Sequence, residues 1–188
     1  LAFRPMGDFI EESTELVRPW EEPDKDWPVY GVNNRDGVFF SYYQKGAEFK
    51  APYKRIRKDW FFHNPTRSAV GSLGIVPAVP EDAITSPEYQ VWRIRDGLVP
   101  GYVAAMISTP FFVNLVQFHR VGAVKQRLFV RNLLEIPIPV LAEDEQSLVA
   151  ERREAALAEL EAARVNIQSV QAEVEAMILG EKPAPGRR

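Results

Sequence analysis

Residues 143–179 contain neither proline nor glycine. A run of that length predicts one α-helix of roughly 50 Å, at about 1.5 Å per residue. Within it Ala156, Leu160, Ala163, Ile167, Val170, Val174 and Met177 alternate steps of four and three. That is an a/d seam held for three heptads. Two of the seam positions are alanine, so the helix alone would be marginal and calls for a partner helix. Leu160, Ile167, Val170 and Val174 are the candidate dimerisation positions. The alternative is a helix folded back on its own globular core. Glu151, Glu154, Glu159, Glu161, Glu173 and Glu175 flank the seam and argue against full burial.

The residues ahead of the helix read differently. Stretches 27–32 and 37–43 are rich in aromatic and β-branched residues, separated by Asn33-Asn34-Arg35-Asp36-Gly37, a strong turn signal. Lys45-Gly46 marks another turn, and Trp60-Phe61-Phe62-His63-Asn64 an aromatic strand. The Gly-punctuated stretch 69–77 reads as one strand, 84–87 as a turn, and 88–94 as a further strand. Residues 101–107 then suggest a short helix. Ser108 or Thr109 can cap a second one, with Pro110 at its first position. A basic, glycine-containing loop follows at 120–127, a last turn is expected between 128–130 and 133–140, and an exit strand carries Ile136-Pro137-Ile138-Pro139. The predicted fold class is α+β. A β-rich domain with short packing helices spans 1–142, the long helix 143–180, and a disordered tail 181–188.

Composition narrows the function classes. With no cysteine there is neither a disulfide frame nor a thiolate metal site, which suits a reducing cytoplasm. No apolar run approaches the roughly 18–20 residues that span a bilayer, and no signal peptide is visible. The chain starts at Leu1 rather than Met, so upstream residues can have been removed. The net charge of −3 conceals blocks: −6 over 8–26, +6 over 27–142 and −7 over 143–181. Such blocks bear on partners rather than on fold, although three solvated surfaces would look the same. His63 and His119 lack the acids or cysteines that would make a ligand set. No phosphate loop, methyltransferase signature or nucleophile–base pair is readable, so neither a catalytic residue nor a cofactor is assigned.

Several segments, taken in order, resemble one family. They are "MGDFI" at 6–10, "YGVNNRDGVF" at 30–39 and "IRKDWFFHNPTRSAVGSLGIV" at 56–76. They continue with "ITSPEYQVWRI" at 84–94, "GYVAAMISTPFF" at 101–112 and "LFVRNLLEIPIPVLAEDEQ" at 128–146. The chain is similar to the specificity subunits of Type I restriction–modification systems. The family's "PLPPLEEQ" exit stands here in altered form, as Ile136-Pro137-Ile138-Pro139 and then Glu145-Gln146. The resemblance implies a non-catalytic domain that reads a short half-site in double-stranded DNA. It also implies a long helix that sets spacing and docks a methyltransferase subunit. A full subunit has two recognition domains and two helices; this sequence has one of each. It would then be a half-subunit paired with a second copy, or the recognition segment of a longer polypeptide such as a fused methyltransferase–endonuclease.

On that reading, phosphate contacts come from two basic stretches. Lys45, Lys50, Lys54, Arg55, Arg57, Lys58 and Arg67 form one; Arg120, Lys125, Arg127 and Arg131 form the other. Base-reading candidates are the amide and guanidinium side chains on loops: Asn33, Asn34, Arg35, Gln44, Asn64, Arg67, Ser68, Gln126 and Arg127. Arg67 and Arg127 head that set, while residues such as Asn33 and Asn34 more often serve a turn than a base. The acidic helix would be repelled by phosphate and suits a modification subunit. The rival from another class is an assembly scaffold that works through its coiled coil and binds no DNA.

Overall fold

The computed structural model describes residues 2–181; the tail expected to be disordered lies, beyond Glu181, outside the described residues. The chain divides after Ala150 into two units. Among the described residues, eleven strands, three short α-helices and four 3-10 turns make up the first, together with the opening turns of the long helix.

Three sheets organise the first unit. The smallest pairs β1 (Ala2–Pro5) antiparallel with β11 (Pro137–Val140). Prolines on both strands cannot donate to a ladder, and they are tolerated because each strand has only one neighbour. A four-stranded sheet has the order β2 (Ile10–Glu12), β10 (Gln90–Ile94), β7 (Phe61–His63), β8 (Leu73–Ile75). A five-stranded sheet has the order β3 (Leu16–Val17), β6 (Tyr53–Arg55), β9 (Ile84–Thr85), β4 (Asp26–Asn33), β5 (Gly37–Lys45).

The four-stranded sheet has a core on each face, as the two-residue period of a strand requires. Phe61 and Trp92, their rings stacked at 4.4 Å, face one core. That core is completed by α1 (Pro100–Ile107), α2 (Pro110–His119) and α3 (Val130–Leu133), with Val103, Val116 and Leu133 buried there. Their neighbours Phe62 and Val91 face the other core, with Val32, Ile56, Val76 and Ala83. The α2 start follows the expected chemistry: Pro110 opens it and the Thr109 hydroxyl accepts a hydrogen bond from the Phe112 N–H.

Four local expectations need correction. Residues 84–87 do not form only a turn. Ile84–Thr85 is a fully buried strand between β4 and β6, and the Thr85 hydroxyl donates to the Tyr30 carbonyl at 2.8 Å. The 69–77 stretch is not one strand. Ser68–Val70 is a 3-10 turn, Gly71 stops it at φ +82°, and β8 begins at Leu73. Tyr53–Arg55, to which the sequence assigns no element of its own, is strand β6. The last turn before the exit strand contains a short helix, α3.

The long helix, α4, runs Glu143–Ile178. Glu143, Asp144 and Glu145 fill its first turn, where the helix dipole favours negative charge. The Glu145 carboxylate accepts from the Ala142 N–H at 3.1 Å, half of a capping box. Gln146 is buried in the first unit. Its Oε1 accepts from the Val99 N–H at 2.8 Å, and its Nε2 donates to the carbonyls of Leu141 (3.0 Å) and Gly97 (3.3 Å). Gly101 on α1 lies so near Ala150 that an added methyl would come within 2.6 Å of the Ala150 Cβ. In the second unit Leu160, Ile167, Val170 and Val174 are all exposed.

Among the described residues no single helix is long and apolar enough to cross a membrane.

Candidate nucleic-acid interface

The charge blocks of the sequence do not survive as blocks in space. Acids near the N-terminus are matched to bases from the middle: Glu15 with Arg57 at 2.6 Å, Glu11 with Arg93 at 2.7 Å, Asp26 with Lys45 at 2.8 Å. The acidic N-terminal segment therefore neutralises part of the basic surface anticipated for DNA.

That pairing sorts the candidate residues into two groups. Lys45 donates to Asp26 and to the Asp24 carbonyl. Lys54 is half-buried, donates to the Tyr89 carbonyl at 2.6 Å, and has its pKa lowered by burial. Arg57 holds Glu15 and lies over the Trp60 ring at 5.1 Å. An exposed ion pair is worth at most about 1 kcal/mol, so pairing alone would not keep Lys45 from a phosphate. Position does more. Gln44 and Lys45 close β5, a nine-residue strand whose other end begins the 33–37 turn; about 3.4 Å per residue separates those ends by roughly 27 Å.

The second group comes together where three loops adjoin. The first is the hairpin tip between β4 and β5. There the Asn33 side chain is spent on the turn: its Oδ1 accepts from the N–H groups of Arg35 (2.8 Å) and Asp36 (2.7 Å). Gly37 follows at φ +67°, the left-handed region that glycine enters without penalty. Asn34 and Arg35 remain exposed at the tip.

The second loop, residues 64–72, links β7 to β8. Asn64 likewise serves its own loop, accepting from the Thr66 N–H and hydroxyl. Ser68 is fully buried, its hydroxyl donated to the Pro65 carbonyl at 3.3 Å, so it shapes the loop rather than presenting itself to a base. Arg67 is exposed and has no side-chain partner among the described residues. This loop meets the hairpin tip at Gly71, where an added methyl would lie 3.4 Å from the Asn34 Cβ and 3.9 Å from Val113 of α2.

The third loop, residues 120–127, links α2 to α3. Its ends are clamped by two backbone hydrogen bonds between Val121 and Arg127, at 2.9 and 2.8 Å. Arg120 braces it, donating through Nη2 to the Gln126 carbonyl (2.9 Å) and reaching the Thr66 carbonyl (3.4 Å) of the second loop. The Leu128 N–H donates to the Pro65 carbonyl at 2.9 Å. Lys125 and Gln126 are exposed and Arg127 partly so. Neither Lys125 nor Arg127 makes a side-chain ion pair among the described residues.

His63 sits beneath this junction. It is fully buried, and its ring lies 2.9 Å from the Leu128 carbonyl through Nε2. A carbonyl can only accept, so Nε2 carries the proton and Nδ1, which has no partner, does not. Burial above all, joined by nearby Lys54 and against the opposing pull of the carbonyl, lowers its pKa to about 4. His63 is therefore a neutral structural pin between β7 and the base of the third loop.

A pH dependence follows from this. Unfolded, the ring titrates near 6.5; folded, near 4. Above 6.5 both states are neutral and the full stability is present. Between 6.5 and 4 only the unfolded chain takes up the proton, so stability falls with pH. From pH 7.5 to 5 the loss is about 2 kcal/mol. Denaturant titrations of the full chain at those two pH values measure it. His63→Gln, which can still donate to Leu128, should remove that part of the slope; an unaltered slope would refute the assignment.

With this geometry in view, solved structures can be compared. The HsdS subunit from Thermoanaerobacter tengcongensis matches 100% of this chain and 50% of its own length, with a TM-score of 0.69 and 19% sequence identity. The architecture is that of half an HsdS subunit. A second match, from a structural study of complex assembly and conformational transition in the type I R-M system, covers 100% of this chain and 50% of that one. Its TM-score is 0.65 at 18% identity. The chain thus spans about half the length of both of these structural neighbours. No protein-family model and no curated protein matches the sequence.

Within this half-HsdS fold, two features escaped the sequence reading. One is the bracing role of Arg120, since its partners Thr66 and Gln126 are invisible without tertiary structure. The other is apolar exposure beside the cations. Phe118 and Val124 are 84% and 101% exposed, and Val70, Phe111 and Val121 are also exposed. Among the described residues no group of three or more His, Asp or Glu side chains is placed to hold a metal ion.

Proposed function

We propose that this chain is a non-catalytic module that recognises a sequence in double-stranded DNA and brings a methyltransferase and restriction partner to it. One observation carries the reading: two loops from distant parts of the chain are braced together, and they present Arg67, Lys125 and Arg127 without acid partners among the described residues. Phosphate binding needs uncompensated cations on a fixed frame, and base reading needs side chains free to donate. Asn34, Arg35 and Gln126 stand beside these cations as base-reading candidates, with Arg120 as their brace. The half-HsdS fold supports the same reading.

The exposed seam of α4 supports pairing with a second copy through Leu160, Ile167, Val170 and Val174. The acidic flanks of that helix suit a modification subunit rather than DNA. Recognition would then reside here, and methyl transfer and cleavage in partners. The exposed seam also fits the rival reading, an assembly scaffold with no affinity for DNA.

Sedimentation of the full chain with a duplex taken from a randomised pool separates the two. The recognition reading expects two chains per duplex. It also expects affinity to fall roughly a hundredfold between 50 and 200 mM salt, the effect of about four phosphate contacts per copy. Lys45, Lys54 and Arg57 are left out of that count because each holds an internal partner, and Lys45 also lies at the far end of β5. Absence of DNA affinity at low salt would favour the scaffold.

A further inference from the structure

Val124 presents a side chain to solvent that its own fold does not use. It is 101% exposed, on a loop whose two ends are fixed by backbone hydrogen bonds. Val121 and Arg127 clamp the loop from both sides, Gly122 turns it at φ +120°, and Arg120 pins the Gln126 carbonyl. A β-branched side chain is stiff at χ1 and loses little conformational freedom on binding, so whatever it touches gains most of the contact. Its surroundings select the partner's chemistry. Arg120, Lys125, Arg127 and Arg131 lie on residues 120–131 with no acid among them. An apolar protein surface would gain nothing from those four charges, but a polyanion with an apolar spot would match both features.

Duplex DNA has one such spot in its major groove, the C5-methyl group of thymine. We propose that Val124 is a specificity-determining residue that packs against a thymine methyl at one position of the recognised site. The proposal rests on the DNA-recognition reading above and sharpens it. The cations beside Val124 anchor the tip on phosphates, and Val124 distinguishes thymine from cytosine or uracil by a methyl contact alone.

The test begins with the duplex that the full chain enriches from a randomised pool. Each thymine is replaced in turn by uracil, which removes only the methyl group. At one position in each half-site the substitution should weaken binding by the native chain about fourfold for each copy bound, the effect of burying one such group. Val124→Ala should bind the thymine duplex that much more weakly and show no further loss with uracil. Its melting temperature should not move, because the side chain packs against nothing. If Val124→Ala keeps the thymine preference, or weakens every duplex equally, the methyl contact is wrong although DNA recognition stands. If the native chain enriches no duplex, DNA recognition fails and the inference falls with it.

Discussion

Replacing both Arg67 and Arg127 by glutamate should lower affinity for the selected duplex about a thousandfold at 100 mM salt. Each reversal removes a contact worth about 1–3 kcal/mol and adds a repulsion. The melting temperature should shift by no more than about 2 °C, since neither guanidinium has a partner among the described residues. Both readouts matter, because a fold that survives with binding lost places the effect on the surface. The control is Lys45→Glu, at the far end of β5 and already paired with Asp26. It should unsettle that local pair and weaken specific binding far less. Equal losses from Lys45→Glu and the double reversal would show that charge in general, not this junction, drives binding.

Gln146→Leu should be the most destabilising single change in the opening of α4. Leucine is of similar size but leaves the Val99 N–H and the Gly97 and Leu141 carbonyls without their side-chain partner in a buried setting. An unsatisfied buried group costs about 1–3 kcal/mol, so a loss of about 3 kcal/mol is expected. For a chain of this length that is a melting-temperature drop of roughly 6–12 °C. Gln146→Glu should be nearly as harmful, because a carboxylate can accept from Val99 but cannot donate to either carbonyl. Glu145→Ala, by contrast, gives up one exposed bond to the Ala142 N–H and should cost less than about 1 kcal/mol. Calorimetry on the three variants checks the ranking, and equal losses at 145 and 146 would contradict it.

Legibility in the sequence tracked the range of the interactions. The β4–β5 hairpin was readable because Asn33 and Gly37 make their turn within five residues. The start of α2 was readable from Thr109 and Pro110, and α4 from its freedom from proline and glycine. Strands β3, β6 and β9 were not, because two or three residues have no periodicity of their own. Ile84 and Thr85 are strand only because β4 and β6 lie on either side.

The same division holds at the candidate interface. Residues 64–68 and the 120–127 loop announce themselves by their Pro, Gly, Asn and basic residues, whereas 69–72 read as strand until Gly71 is seen to stop the turn. Which of the cations are free is not announced. Glu15 is 42 residues from Arg57, and the Tyr89 carbonyl is 35 from Lys54. Ser68 reads as a surface hydroxyl until Pro65 and the packing of its loop enclose it. Val124 reads as an unremarkable loop residue until the clamp around it is seen.

The claim at the centre is that the junction of the 64–72 and 120–127 loops, not the internally paired cations Lys45, Lys54 and Arg57, meets the DNA backbone. The slope of log affinity against log salt tests it most directly, because that slope counts phosphate contacts. Lys125→Ala should flatten the slope by about 1 for each copy bound, and Arg57→Ala should leave it within error of the native chain. The reverse pattern, a slope insensitive to Lys125 and reduced by Arg57→Ala, would contradict the account.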